Sequence, residues 1–217
     1  MPEPKIKLIA CRALAHVLEP MLPAATQRVI LDIGLHLSPE RLRDRLRQEV
    51  RAIQEPGWDI ILGYGLCGRA AEGVGSQESR LILPRVDDCV GALLGSRVRH
   101  KAIMGRNPGC FFLEPKWVGS EVDIFAQCQK GLERIPENRR AQIVQMTLKH
   151  YSQLALLEHG AEGGEEATAY CRQLAETHHF DFIKYFSDLR LLARLAAGDW
   201  NQEDFVIAEP GREIPYF

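Results

Sequence analysis

Short apolar runs alternate with stretches of helical period through the first half of the chain. Lys5 to Ala10 reads KIKLIA, Arg28 to Ile33 reads RVILDI, Trp58 to Leu62 reads WDIIL, and Arg80 to Pro84 reads RLILP. Runs of this length, bounded by Gly, Pro and charged residues, predict four β-strands. Between them the spacing predicts helices. The first covers Arg12 to Leu22. The second starts with Ser38 as N-cap and Pro39 in the first helical position, carries Leu42, Leu46, Val50 and Ile53 on one face, and ends near Gly57. Strand and helix in alternation call for a mostly parallel sheet with helices on both faces, an α/β fold.

The texture then changes. Cys110 to Leu113 (CFFL) reads as one more short strand, and from Val122 to Gly198 the pattern predicts helices, in segments broken by Pro136 and by the turn-prone run Gly160 to Gly164. The last of them, Phe182 to Ala197, would face the core through Phe182, Phe186, Leu189, Leu192 and Leu195. Phe205 to Ala208 (FVIA) reads as a closing strand. The expected organisation is a single α/β domain over residues 1–217: a sheet core over 1–120, a helical layer over 121–200, and a closing strand and tail over 201–217.

Composition narrows the partners. The chain has 217 residues, 46% of them hydrophobic, enough for one sizeable core. Twenty-seven Lys and Arg against 29 Asp and Glu give a formal net charge of -2, so no basic excess is present to hold a phosphate backbone, and nucleic acid is not the expected partner. Pro, Glu and Arg interrupt the apolar residues near the start, and no run reaches the roughly eighteen apolar residues of a membrane span. The expectation is a cytoplasmic protein without a membrane partner. In that compartment the six cysteines stay reduced, available for packing or for metal.

The candidate chemistry rests on position. In open α/β sheets ligands bind outside the carboxyl ends of the strands. Cys11 follows the first predicted strand; Asp32, Gly34 and His36 follow the second; Tyr64 and Cys67 follow the third; Arg85, Asp87, Asp88 and Cys89 follow the fourth. Parallel strands would deliver three thiols and one imidazole to one rim, a donor set suited to zinc or, through the thiolates, to an iron-sulfur cluster. The ligands read in this way are Cys11, His36, Cys67 and Cys89. Against this stands the packing habit of free cysteine, a small hydrophobe.

The turn GYGLCG has a second reading. Gly63, Gly65 and Gly68 free the backbone around Tyr64, so the turn can present N–H groups to an anion, with Arg85 receiving its charge. The lysine and Ser/Thr of a P-loop are missing, and a structural tight turn gives the same pattern. Asp87 and Asp88 fit either as caps of the next helix or as partners that orient His36 or a metal ligand. On this alternative the protein is a metal-free binder of a small anionic molecule. Cys110, Cys128 and Cys171 sit among apolar residues and read as packing; His178-His179 reads as a solvated loop between helices; the Arg-rich helix from Pro39, interleaved with Glu40, Asp44 and Glu49, reads as a solvated face.

Several segments taken together resemble a known family: LDIGLH (Leu31 to His36), PERLR from Pro39, LGYGLCG (Leu62 to Gly68), PRVDDC (Pro84 to Cys89) with LLGSR (Leu93 to Arg97), and the late pairs Asp199-Trp200 and Pro210-Gly211. They are similar to the bacterial and archaeal family catalogued as domain of unknown function 1638, across nearly the whole chain. The resemblance implies no reaction. It implies a signature at Cys11, His36, Cys67, Asp87, Asp88 and Cys89, and a setting among anaerobic one-carbon and corrinoid methyl-transfer proteins, with a corrinoid or methyltransferase partner. One segment departs from the family: Pro108 to Trp117 reads PGCFFLEPKW where PGTYFLTPGW is usual, so Cys110 stands at a position that is generally not cysteine and Lys116 where glycine is common.

Overall fold

The computed structural model of the chain describes residues 5–132, 135–160 and 163–217. In chain order the elements are β1 (Ile6–Cys11), α1 (Arg12–Leu18), β2 (Arg28–Leu31), α2 (Pro39–Ile53), β3 (Asp59–Gly63), β4 (Arg80–Pro84), α3 (Cys89–Leu93) and α4 (Arg97–Arg106). They continue with β5 (Cys110–Leu113), α5 (Ile124–Leu132), α6 (Glu137–Leu148), β6 (Gln153–Glu158), α7 (Gly164–His178), β7 (Asp181–Phe186), α8 (Arg190–Ala197) and β8 (Phe205–Ala208). The chain divides into two compact units, Met1–Arg97 with Asp188–Phe217, and Val98–Ser187.

The first unit is built on a five-stranded sheet in the order β2-β1-β3-β4-β8. β1 pairs in parallel with β2 and β3, and β3 with β4, while β8 closes the edge antiparallel to β4. The fold class is therefore the expected α/β, mostly parallel. Every residue of β1 is buried, as a strand covered on both faces demands. The chain passes from β1 to β2 on one side and from β2 back across β1 to β3 on the other. Right-handed crossovers in opposite directions place α1 and α2 on opposite faces. α2 buries Leu42, Leu46, Val50 and Ile53 and is capped by Ser38, whose hydroxyl accepts from the Arg41 N–H at 3.4 Å. Burying each of those side chains contributes about 1.5–3 kcal/mol. Its arginines do more than meet solvent: Arg43 donates to the Arg69 carbonyl at 2.8 Å and Arg47 to that of Gly73 at 2.9 Å, tying down the loop between β3 and β4.

The second unit sets two strands among the helices of the expected helical layer. Its sheet, β5-β6-β7, is parallel throughout, so β6 and β7 are strands inside the 121–200 stretch. The stretch Phe182 to Ala197, read as one helix, is strand β7 and helix α8. Phe182 and Phe186, four residues apart, share a face in a strand as well as in a helix, so their spacing could not separate the two. The composition DFIKYF, aromatic and β-branched, carried the strand signal. QLALLE of β6 is a short apolar run of the kind that periodicity cannot assign. Pro136 stands at the start of α6 as expected, and Gly163 precedes α7; Ala161 and Glu162 of the predicted turn lie outside the described residues. His178 ends α7 and stacks on Phe125, so the His178-His179 pair joins a helix to a strand instead of two helices. No helix among the described residues is long and apolar enough to cross a membrane.

Candidate metal centre

The order β2-β1-β3 makes the gap between the carboxyl ends of β1 and β3 the point where the chain reverses its direction of travel across the sheet. That crevice is where open α/β sheets bind ligands. The last paired residues there are Ala10 and Gly63. Cys11 follows the first directly, and Tyr64 the second.

Cys11 is the last residue of β1 and the N-cap of α1, its sulfur accepting from the Ala13 N–H at 3.4 Å. His36 comes from the short 3-10 turn Ile33–Leu37 after β2, which Asp32 caps by accepting from the Gly34 N–H at 2.7 Å. That turn brings His36 Nε2 to 3.2 Å from Cys11 Sγ. The imidazole also stacks on Tyr64, with ring centroids 6.1 Å apart and planes 20° from parallel.

The turn after β3 is locked to the turn after β4. Leu66 N–H donates to the Val86 carbonyl at 3.0 Å and Cys67 N–H to that of Asp87 at 2.8 Å. Gly65 makes the approach possible, because a Cβ there would lie 2.6 Å from the Asp88 nitrogen. Cys67 takes a left-handed backbone, φ 47°, a conformation uncommon for a side chain other than Asn or Asp. Cys89 opens α3, whose N-cap Asp88 accepts from the Gly91 N–H at 2.9 Å.

Electrostatics tie these groups into one neighbourhood. Burial pushes the Cys11 thiol up to about 11, and burial, with lesser help from charge on Cys11 and Asp88, pushes the Cys67 thiol up to about 12. Cys89 is raised well above the usual thiol value, first by burial, then by Asp88, Cys11 and Cys67. His36 is lowered by burial, with Asp88 opposing, so the imidazole is neutral near pH 7 and able to donate a lone pair. Among the described residues, however, no three of the ligand atoms of Cys11, His36, Cys67 and Cys89 all lie within 4.8 Å of one another. A tetrahedral zinc with sulfur at about 2.3 Å sets its ligands less than about 4 Å apart. The donor chemistry fits a thiophilic metal; the sulfurs must close in to bind one.

The residues read as an anion cradle behave differently. The Leu66 and Cys67 N–H groups are spent on the neighbouring turn. Gly63 is a packing glycine, since a Cβ there would meet Leu18 Cδ1 at 2.6 Å and Ala10 Cβ at 2.7 Å. Gly68 continues the left-handed turn, φ 65°, against Pro39. Arg85 holds the closing strand, its Nε donating to the carbonyls of Gln202 at 2.9 Å and Phe205 at 3.2 Å, and its guanidinium lying over Phe217. Asp87 pairs with Arg97 at 2.8 Å, and Arg97 also donates to the Phe217 carbonyl at 2.9 Å.

Cys110, Cys128 and Cys171 belong to the second unit, and Cys11, Cys67 and Cys89 to the first. That unit carries a pair the sequence reading missed: Glu114, fully buried after β5, lies 2.8 Å from His159 Nε2, just beyond β6. The signal was present, in a carboxylate and an imidazole that follow the apolar runs CFFL and LALLE at the carboxyl ends of neighbouring parallel strands.

A family model described as a protein of unknown function (DUF1638) matches residues 30–196, a span that includes His36, Cys67 and Cys89 and begins after Cys11. No curated protein and no solved structure matches the chain.

Proposed function

The chain belongs to the DUF1638 family, and on that premise we propose that it is a metal-binding protein in which the thiolates of Cys11, Cys67 and Cys89 hold zinc or an iron-sulfur cluster, with His36 as fourth ligand. The observation that carries the reading is the 3.2 Å approach of Cys11 Sγ to His36 Nε2 at the switch point of the sheet. Around it, Cys67 and Cys89 are near enough for their charges to act on one another and on Cys11. Supporting it is the strained backbone of Cys67, since a left-handed non-glycine residue persists where its side chain is needed. The amides and the arginine of the metal-free alternative are engaged elsewhere in the fold. A thiolate-bound metal activates sulfur as a nucleophile or holds an alkyl acceptor, which suits the methyl-transfer setting that the sequence resemblance implies.

The test is metal analysis of protein purified without air, with visible absorbance separating an iron-sulfur cluster from zinc. Cys67→Ser keeps the size of the side chain but offers a hard, protonated hydroxyl, so it loses the metal while circular dichroism stays unchanged. Cys171→Ser, in the second unit, keeps it. Wild-type protein free of stoichiometric metal overturns the reading.

A further inference from the structure

Arg47 and Arg51, on the helix that the sequence reads as a solvated face, line a cavity of about 250 Å³ in the first unit, together with Gln54, Gly73, Arg212 and Glu213. Gln54 caps α2 on the approach to the amino end of β3, whereas Cys11 and Cys67 belong to the carboxyl ends of their strands. Donors outnumber acceptors in this cavity. Arg47 is fixed by the Gly73 carbonyl, to which its Nε and Nη2 donate at 3.2 and 2.9 Å. Gln54 Oε1 accepts from the Ser76 hydroxyl and from the Gln77 N–H, each at 2.9 Å. A backbone N–H only donates, so the amide oxygen must face it, and the Gln54 NH₂ is turned the other way, where it meets no acceptor among the described residues. Among those residues the guanidinium groups of Arg51 and Arg212 meet no acceptor and no carboxylate either. Three guanidinium groups thus line the cavity against one carboxylate, Glu213, in a chain whose formal net charge is -2.

We infer that this cavity binds a small phosphate ester with a hydroxyl group close to its phosphate, a phosphorylated polyol. Guanidinium forks match phosphate oxygens bidentately, and guanidinium and NH₂ groups only donate, so the part of the ligand they hold must be rich in acceptors. The Glu213 carboxylate only accepts, so its partner must donate, and a neutral hydroxyl does so without bringing a further negative charge beside it. Gly73 and Gly211 put no side chain into the space. Its volume, just below the roughly 300–1,000 Å³ of ordinary ligand sites, suits a phosphate on a short carbon chain. None of the proposed metal ligands lines the cavity, so the two sites stand or fall separately.

The full chain is titrated in a calorimeter at low salt with glycerol 3-phosphate, ethyl phosphate, inorganic phosphate and glycerol. Glycerol 3-phosphate is expected to bind saturably and more tightly than the other three. Arg51→Gln and Arg212→Gln are each expected to weaken it on the order of tenfold at unchanged melting temperature, because neither side chain holds a hydrogen bond among the described residues. Arg45→Gln, on the same helix but paired with Glu49, is expected to leave binding unchanged, which separates a built site from a basic surface. Glu213→Ala is expected to bind ethyl phosphate at least as well as the wild type does and to lose the preference for glycerol 3-phosphate. Absence of saturable binding, ethyl or inorganic phosphate bound as tightly as glycerol 3-phosphate, or an affinity that Arg51→Gln and Arg212→Gln leave intact overturns the inference. An equal loss in Arg45→Gln, or a preference for glycerol 3-phosphate that survives Glu213→Ala, overturns it as well.

Discussion

His36 Nε2 and Cys11 Sγ lie 3.2 Å apart although 25 residues separate them in sequence. The sheet closes that distance: Cys11 is paired with Leu31 across β1 and β2, so the turn leaving β2 starts beside the residue that ends β1. Burial keeps the imidazole neutral, and a neutral imidazole is the ligand form. His36→Ala is expected to weaken metal binding at least tenfold, read by competition with a chromophoric chelator, with the far-ultraviolet circular dichroism unchanged. Undiminished affinity would remove His36 from the site.

The rim was legible because the strands that carry it show themselves in local signals. KIKLIA, RVILDI, WDIIL and RLILP are short apolar runs with helices between them, and the rule that ligands gather beyond the strand ends then named Cys11, His36, Cys67 and Cys89 without knowledge of any contact. The partners of Arg85 and Asp87 were not legible. They are Gln202, Phe205 and Phe217 at the far end of the chain, besides Arg97, and no local pattern announces a contact over more than a hundred residues. The strand β7 was hidden for a different reason, since the apolar positions of DFIKYF suit either period.

Asp87 belongs with the fold more than with the proposed metal site, because its carboxylate is engaged by Arg97. Asp87→Asn is expected to cost about 1–2 kcal/mol in a urea denaturation while leaving metal stoichiometry unchanged. Loss of metal at unchanged stability would return Asp87 to the site.

Metal uptake should depend steeply on pH. Burial holds the thiols of Cys11, Cys67 and Cys89 protonated at neutral pH, with Cys11 at about 11 and Cys67 at about 12, so a metal enters by displacing protons. Apparent affinity rises as pH rises below those values, with up to about one proton released per thiolate formed. Calorimetry in two buffers of different ionisation enthalpy counts the protons. Proton release near zero would mean that the thiols are not the ligands.

Cys171 gives an alkaline signature independent of the site. It is fully buried on α7, and burial, then Asp123, raise its thiol to about 12, with Lys184 opposing. The folded state thus holds this proton more tightly than the unfolded chain, whose thiol ionises near about 8.5. The contribution is fully present below that value and is lost as pH rises toward 12, at about 1.4 kcal/mol per pH unit. Between pH of about 8 and about 10.5, urea denaturation should show wild type losing about 2 kcal/mol more than Cys171→Ala. Parallel losses in the two proteins would show that Cys171 keeps an ordinary thiol pKa.

Cys67 offers the sharpest separation of stability from function. Its φ of 47° suits glycine, and its amide is already held by the Asp87 carbonyl, so the turn keeps its path whatever side chain it carries. A left-handed non-glycine residue costs about 1 kcal/mol, and glycine relieves that strain. Cys67→Gly should therefore leave the metal-free protein as stable as wild type or more stable by up to about 1 kcal/mol, while losing its metal. A structural cysteine behaves in the opposite way: its removal lowers stability and leaves bound metal alone. Denaturation of the apoprotein and metal analysis of the anaerobic preparation, made on the same variant, distinguish the two directly.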